Sequence, residues 1–298
     1  MSAPSTSPLV TIALPVFNGG RNLRLAVQSI LNQTFADWEL LIIDDGSTDD
    51  ALATLPQPLD PRIRILSDGR NKGLATRLNE AIGLARGSLF ARMDHDDVAH
   101  QERLQRQVAF LRSHPEVDLL GAKCVTMSED EKIVGELPSS VTHAEVCRRP
   151  WLGFYLAHPT WMGRIDWFRR HRYAEPGPYC CEDQELLLRA YAESRYHALP
   201  DALLAYRVRN KPRLGKLLKT RWALFRVQWK HFIGRGQVGA AIWASLAFAV
   251  RVGGDVFREL VPAQRLMAGR ADAPSAKLRD WNGLIASTRD RADAGASR

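Results

Sequence analysis

Several things are scarce in this chain, and each scarcity closes off a class of protein. Its 298 residues carry only four cysteines, Cys124, Cys147, Cys180 and Cys181, with no C-x-x-C pair and two of them adjacent. That spacing suits neither a disulfide framework nor a zinc site, so the thiols are expected to be reduced, as in a cytoplasm. No apolar run reaches the length of about 18 residues that a membrane-spanning helix needs. The opening "MSAPSTSPLV" has no basic stretch ahead of an apolar core, so no secretory leader is expected. G-x-x-x-x-G-K-[ST] does not occur and no glycine fingerprint follows the first predicted strand, which removes the usual supports for P-loop and dinucleotide readings. Internal repeats and heptad arrays are absent as well.

What is present reads as an ordinary globular protein. A hydrophobic fraction of 45% and a charged fraction of 25% exclude disorder and collagen, and the length allows one large domain with an appendage. The formal charge of +8 favours a polyanionic partner: nucleic acid, anionic lipid or nucleotide phosphate. Much of the excess lies in "RNKPRLGKLLKTRWALFRVQWKHF", residues 209 to 232, well downstream of the acidic clusters.

In the first half, β-prone runs alternate with helix-periodic ones: "LVTIALPV", "NLRLAVQSILNQ", "WELLIIDD", "LATRLNEAIGLARG", "SLFARMD" and "HQERLQRQVAFLRSH". That rhythm predicts an α/β domain with a mostly parallel sheet flanked by helices. Residues 117 to 137 read as strands around a polar turn, and "HPTWMGRIDWFRR" as a strand entering a short helix. In "CEDQELLLRAYAES" the apolar residues share one helical face, which puts Glu182 and Asp183 in the first turn, where the helix dipole favours acids. Domain boundaries follow: a catalytic unit over 1–208, split near 97 and 98, a basic amphipathic helical extension over 209–270, and a mobile tail over 271–298.

Acidic residues recur at predicted strand ends, where open α/β sheets bind ligands. Asp44 and Asp45 follow an apolar run, a pattern that a turn with an Asx cap also explains. "MDHDD" packs Asp94, Asp96 and Asp97 into four residues after "SLFAR", and such carboxylates repel one another unless a cation or hydrogen-bond donors hold them. A hard divalent ion, Mg2+ or Mn2+, takes one or two protein carboxylates and completes its shell with water and substrate phosphates.

Taken in order, "LPVFN", "DDGSTD", "NKG", Asp94-His95-Asp96, "HPTWM" and "ED" resemble the family 2 glycosyltransferases of the GT-A fold, over roughly residues 9 to 208. The resemblance implies a GT-A type, Rossmann-like sheet with a C-terminal helical extension. It also implies an inverting, metal-dependent transfer of a sugar from a nucleotide donor. In it Phe17 stacks on the nucleobase, Asp45 accepts a base N–H, and Pro15, Asn18, Lys72 and Asp94 complete the donor site. Asp96, with Asp94, ligates the Mg2+ or Mn2+, and Asp183 is the base that deprotonates the acceptor hydroxyl. Glu182 positions that carboxylate or binds the acceptor, and Asp97 supports the metal loop or caps a helix. His158 either reaches the metal or a phosphate or is a satisfied structural histidine. Phe17 stands where Tyr is common, which keeps stacking and loses a hydroxyl. The Q-x-x-R-W motif of processive synthases is missing, so a single addition is expected.

The partners so implied are a nucleotide sugar, with uridine as the default base, and a glycan or lipid-linked acceptor in cell-surface polysaccharide synthesis. Nucleic acid fits badly, because acidic strand ends repel phosphates. A nucleotidyltransferase and a non-catalytic nucleotide-sugar binding protein are the alternatives. Beyond Tyr206, cations mixed with Leu, Trp and Phe predict a peripheral contact with an anionic membrane surface, on the inner face. "VGAAIWASLAFAV", ending before Arg251, is too short to cross the bilayer as a helix. Packing of these helices on the catalytic unit, or on a second copy in a homo-oligomer, is the competing expectation.

Overall fold

The computed structural model describes residues 7–208, 214–260 and 276–296. Its framework is one nine-stranded sheet. The strands are β1 (Val10–Val16), β2 (Trp38–Asp44), β3 (Ile63–Ser67), β4 (Leu89–Arg92), β5 (Val98–Ala99), β6 (Leu119–Met127), β7 (Ile133–Glu136), β8 (Met162–Arg164) and β9 (Tyr196–Arg207). They run in the order β3-β2-β1-β4-β8-β6-β9-β5, with β7 paired to β6. β3, β2, β1 and β4 are mutually parallel, while β8 is antiparallel to both β4 and β6. β1 and β2 are buried along their whole length, which is why they read as near-continuous apolar runs.

Two layers of side chains cover the sheet. Val10, Ile12, Leu14 and Val16 face α1 (Asn22–Leu31) and, farther along, α3 (Arg103–Ser113), whereas Ala13, Leu41 and Ile43 face α2 (Leu74–Leu84), α5 (Ile165–Arg170) and α6 (Glu182–Ala190). A one-turn helix, α4 (His143–Val146), is closed by a capping box between Thr142 and Glu145. Because β1 leads to β2 on one side while β4 lies on its other side, the strand order reverses between β1 and β4. In an open α/β sheet the carboxyl ends at such a reversal form the ligand crevice.

Past residue 213 the chain forms α7 (Leu214–Gly234), α8 (Val238–Leu260) and α9 (Ala276–Ala296). Phe232 of α7 and Ala241 and Ala244 of α8 join the core beneath α6. The apolar part of α8 was expected to stop at Arg251, too short to span a bilayer, but the helix continues to Leu260. Arg251 turns inward and donates to Leu152 O at 2.6 Å, and Asp255, 1% exposed in its side chain, pairs with Arg221 at 3.0 Å. Val238–Glu259 is therefore long and apolar enough, by length and composition, to cross a membrane. Gly234, Gly236 and Gly239 match G-x-G-x-x-G by spacing, yet they join two helices and follow no strand, so no dinucleotide site results.

The expectation of a mobile tail fails over Ala276–Ala296. Trp281, Ile285, Thr288 and Ala292 line one face of α9 at helical spacing and are buried, the first two in a cluster with Leu25 of α1 and Met127 of β6. Arg289 and Arg207 both pair with Glu131, tying this helix to the β6–β7 turn. The rest of the stretch expected as a tail, residues 271–275 and 297–298, lies outside the described residues.

Candidate active site

The end of β1 forms one lip of the crevice. Pro15 is buried within the strand, while Phe17, just beyond it, is 45% exposed and leaves a ring face open. Asn18 adopts φ +50° and stitches two loops together: its N–H donates to Ser47 Oγ at 3.0 Å and its Oδ1 accepts from Thr48 N at 2.8 Å. A Cβ added at Gly19 would lie 2.9 Å from Val16 Cγ2 and 3.4 Å from His95 Cδ2, so the loop after β1 abuts the Asp94–Asp97 loop directly.

At the end of β2 the two aspartates divide their tasks. Asp44 braces the turn, accepting from Ser47 N at 2.9 Å and Ser67 Oγ at 2.7 Å; against the opposing pull of burial, these bonds hold its carboxyl below the ordinary range. Asp45 is turned toward the N-K-G segment and accepts from Lys72 N at 2.6 Å, Gly73 N at 3.0 Å and Arg77 Nε at 2.9 Å. Most of its acceptor capacity is thus spent on the loop that precedes α2. Gly46 sits at φ +76° with Arg70 C 2.8 Å from where a Cβ would be, which leaves room only for glycine. Lys72 Nζ is held by Asp68 at 2.6 Å and Glu80 at 2.7 Å, two ion pairs that raise its pKa.

The third element is the loop after β4. Arg92, 2% exposed, makes a two-pronged ion pair with Asp94. Burial raises the pKa of Asp96, with the charge of Asp94 adding to the effect. Asp97, 1% exposed, is pushed up strongly by burial and by the Asp94 and Asp96 charges; its Oδ1 accepts from Arg207 N at 2.9 Å and its Oδ2 has no partner. It anchors the end of β9 and caps no helix. Among the described residues no group of three or more His, Cys, Asp or Glu side chains converges as a metal cage. Asp94 and Asp96 nevertheless fit a hard divalent cation that brings its own water and phosphate oxygens, since their mutual repulsion is what such an ion relieves.

Opposite them, α6 presents Glu182 and Asp183 in its first turn. Burial and the neighbouring Asp183 push Glu182 up to about 7, and burial raises Asp183 while Gln184, at 3.1 Å from its Oδ2, and Arg92 pull the other way. His158 is a satisfied histidine: its Nε2 lies 2.7 Å from Tyr173 Oη, and burial plus Arg92 hold its pKa far below the usual value. Arg92 therefore acts electrostatically on Asp94, Asp97, Glu182, Asp183, His158 and Tyr173. It and Arg77 were absent from the sequence-based set. The only hint for Arg92 was a charged residue inside a β-prone run just before an acidic cluster.

A parallel sheet half with its crevice at a strand-order reversal, lined by carboxylates, defines a nucleotide-binding α/β enzyme class. The sequence profile of glycosyl transferase family 2 matches residues 11–172, and the chain belongs to that family. The O-antigen biosynthesis glycosyltransferase WbnJ of Escherichia coli is 29% identical over 211 residues, 68% of this chain and 81% of that protein. Among solved structures, S. aureus TarS 1-349 in complex with UDP-GlcNAc superposes with a TM-score of 0.58 at 17% identity, over 96% of this chain and 83% of that one. The mannosyltransferase PcManGT from Pyrobaculum calidifontis, in complex with GDP-Man and Mn2+, gives 0.60 at 18% identity, over 99% and 87%. Both share the GT-A fold, which this chain has, with C-terminal helices added.

Proposed function

We propose that this glycosyltransferase moves a single sugar from a nucleotide sugar to a glycan or lipid-linked acceptor, with inversion, in cell-surface polysaccharide synthesis on the cytoplasmic side. The observation that carries the reading is the grouping of Asp94, Glu182 and Asp183 around the buried Arg92 guanidinium, with the exposed Phe17 at the end of the neighbouring strand β1. Phe17 offers stacking to a base, and Asp45 holds the loop beneath it while its Oδ2, with one bond made, still has a lone pair for a base N–H. Pro15 and Asn18 shape the lip, and Lys72, whose backbone N–H meets Asp45 and whose Nζ is held by Asp68 and Glu80, completes the donor site. Asp96 and Asp94 would hold Mg2+ or Mn2+, whose charge stabilises the departing diphosphate. Asp183, its pKa raised by burial, takes the acceptor proton. UDP is the donor nucleotide in this reading, as in the TarS complex, while the GDP-Man complex makes guanosine the alternative.

The same reading places α7 and α8 on an anionic membrane surface. Support comes from Trp229, Ile242, Trp243, Leu246, Val250 and Phe257, large apolar side chains that are 43% to 75% exposed. The experiment is a donor screen with and without Mn2+, scored for release of nucleoside diphosphate. Release should fall by about 10²–10⁴ in Asp183→Asn while UDP binding persists. Formation of a nucleotide sugar with release of pyrophosphate, when a nucleoside triphosphate and a sugar 1-phosphate are supplied instead, would make the protein a nucleotidyltransferase, and binding without turnover of any donor would make it a binding protein.

A further inference from the structure

Gln184 follows the Glu182-Asp183 pair in the first turn of α6, and its side-chain amide is fully committed. Its Oε1 accepts from Phe154 N at 2.8 Å, while its Nε2 donates to Phe154 O at 3.2 Å and to Asp183 Oδ2 at 3.1 Å. Phe154 N–H can only donate, so the amide's orientation is fixed and both Nε2 hydrogens are used. The contact with Asp183 does not follow from adjacency. Neighbouring side chains on a helix diverge by about 100° and do not face each other; a partner outside the helix, the Phe154 backbone, holds the amide across the carboxylate.

That partner is itself held in place. Phe154 is buried and follows a short turn, Pro150–Leu152, whose carbonyls are gripped from both long C-terminal helices. Gln228 Nε2 of α7 donates to Pro150 O at 2.9 Å, and Arg251 of α8 donates to Leu152 O at 2.6 Å. Between the turn and Phe154 stands Gly153 at φ +90°, where an added Cβ would lie 2.8 Å from Gln184 Oε1. Glycine is thus needed there twice, for its backbone angle and for the room the amide takes.

We propose that Gln184 is a positioning residue for the candidate base: held by the Gly153–Phe154 backbone, its Nε2 fixes Asp183 by Oδ2 and leaves Oδ1 to take the acceptor proton. The inference rests on the glycosyl-transfer reading and adds a residue that neither strand-end position nor acid spacing singles out. In the step it serves, the acceptor oxygen bonds to the anomeric carbon and its proton passes to Asp183. The bond to the nucleoside diphosphate breaks, and the diphosphate leaves with the electron pair. Burial raises the pKa of Asp183, and the Gln184 N–H, which favours the carboxylate over the acid, opposes that rise. Through the Pro150–Leu152 turn, α7 and α8 bear on the base without touching it.

The test uses the full chain with Mn2+ and UDP-GlcNAc, or whichever donor the screen shows to be turned over, with water as acceptor and release of nucleoside diphosphate as readout. Gln184→Met keeps the side chain's length and removes its polar atoms, whereas Gly153→Ala keeps the amide and displaces it. Each should lower kcat about 10–100-fold, the scale of a reacting group set about 1 Å off, with the donor KM and UDP affinity within about twofold of wild type. In an Asp183→Asn background, Gln184→Met should lower release by no more than about twofold further, because the carboxylate it positions is gone. Melting curves give the folded fraction of each variant. A fall in kcat no larger than the fall in folded fraction, or one of the same size in both backgrounds, would reduce Gln184 to a support for the loop and overturn the proposal. If the wild type turns over no donor, or Asp183→Asn alone leaves release intact, the inference falls together with the catalytic reading. Loss of release in Asp183→Asn with full rates in Gln184→Met and Gly153→Ala defeats the inference alone and leaves that reading standing.

Discussion

Replacing Arg92 by methionine tests whether one guanidinium holds the acidic site together. The side chain is 2% exposed, spans both oxygens of Asp94, and counters the charges of Asp97 and Asp183. Removing one partner of a buried pair typically costs about 3–5 kcal/mol. Two features reduce that figure: Asp94 keeps 24% side-chain exposure and can be hydrated, and the buried Arg92 Nε already lacks a partner, so its desolvation is not fully compensated. A loss of about 2–4 kcal/mol remains, equivalent to roughly 5–15 °C in melting temperature at about 2–4 °C per kcal/mol. The loss has a sign in pH. Without the guanidinium the carboxyls of Asp97, Glu182 and Asp183, already raised by burial, rise further above their unfolded pKa values, and such groups contribute stability below the unfolded pKa that is lost as pH rises through the folded one. The penalty of Arg92→Met should therefore be largest near pH 8 and shrink toward pH 5, while Arg92→Lys, which keeps the charge, should lose less at every pH. Thermal unfolding across that range measures it. A penalty below about 1 kcal/mol, or one that does not vary with pH, would refute the electrostatic role and leave only packing.

Glu182→Gln should raise the stability of the ligand-free protein above neutrality, because a carboxyl shifted from 4.5 to about 7 contributes stability that disappears as pH rises through that value; equal melting curves at pH 5 and pH 8.5 for variant and wild type would contradict it. Asp45→Asn should cost about 2–3 kcal/mol, since an amide N–H2 would confront the Lys72, Gly73 and Arg77 donors. It should weaken UDP binding through the displaced N-K-G loop, and calorimetry with UDP decides. Trp281→Ala should release α9, seen as faster hydrogen exchange over Ala276–Ala296 at a cost of about 3–5 kcal/mol, with UDP affinity unaltered.

The parallel half of the sheet was legible because strands buried on both faces leave uninterrupted apolar runs, and "LVTIALPV" and "WELLIIDD" are such runs. Strand β9 was not, since Pro200 and Asp201 sit in its middle. The register with β6 shifts beside Lys123, and the resulting irregularity lets two exposed residues break the apolar pattern of a 12-residue strand. Helix α9 escaped notice because its buried stripe is narrow and its other faces are Asp, Arg, Ala and Gly, a composition that reads as tail. The length of α8 was misread at Arg251, whose charge looks solvated in the sequence but is satisfied by a backbone carbonyl. For the site, strand-end position and acid spacing located Phe17, Asp45, Asp94 and Asp96 at adjacent strand ends. The arginines that hold those acids, Arg77, Arg92 and Arg207, were not singled out, because apart from the position of Arg92 inside a β-prone run the sequence does not distinguish a buried guanidinium from a surface one.

Those arginines decide how metal removal should act. The Asp94–Asp97 loop is gripped from two strands: Arg92 of β4 pairs with Asp94, and Arg207 of β9 donates through Nε to Asp96 O at 2.8 Å while its N–H meets Asp97 Oδ1. Arg103 adds a bond to the carbonyl of Arg92 at 2.7 Å. Protein cations and hydrogen bonds thus fix the loop's shape, and a divalent ion held by only two carboxylates has little of the fold to organise. EDTA should then leave the melting temperature of the nucleotide-free protein within about 2 °C, a small fraction of what losing a structural metal costs. With UDP present the outcome should differ, because the diphosphate brings two more charges to a crevice already rich in carboxylates and needs the ion to bridge them. The stabilisation by UDP should appear with Mn2+ and collapse with EDTA, as differential scanning fluorimetry would show. A protein that melts early in EDTA alone would mean that the ion is part of the folded loop, and the arginine account of its rigidity would be wrong.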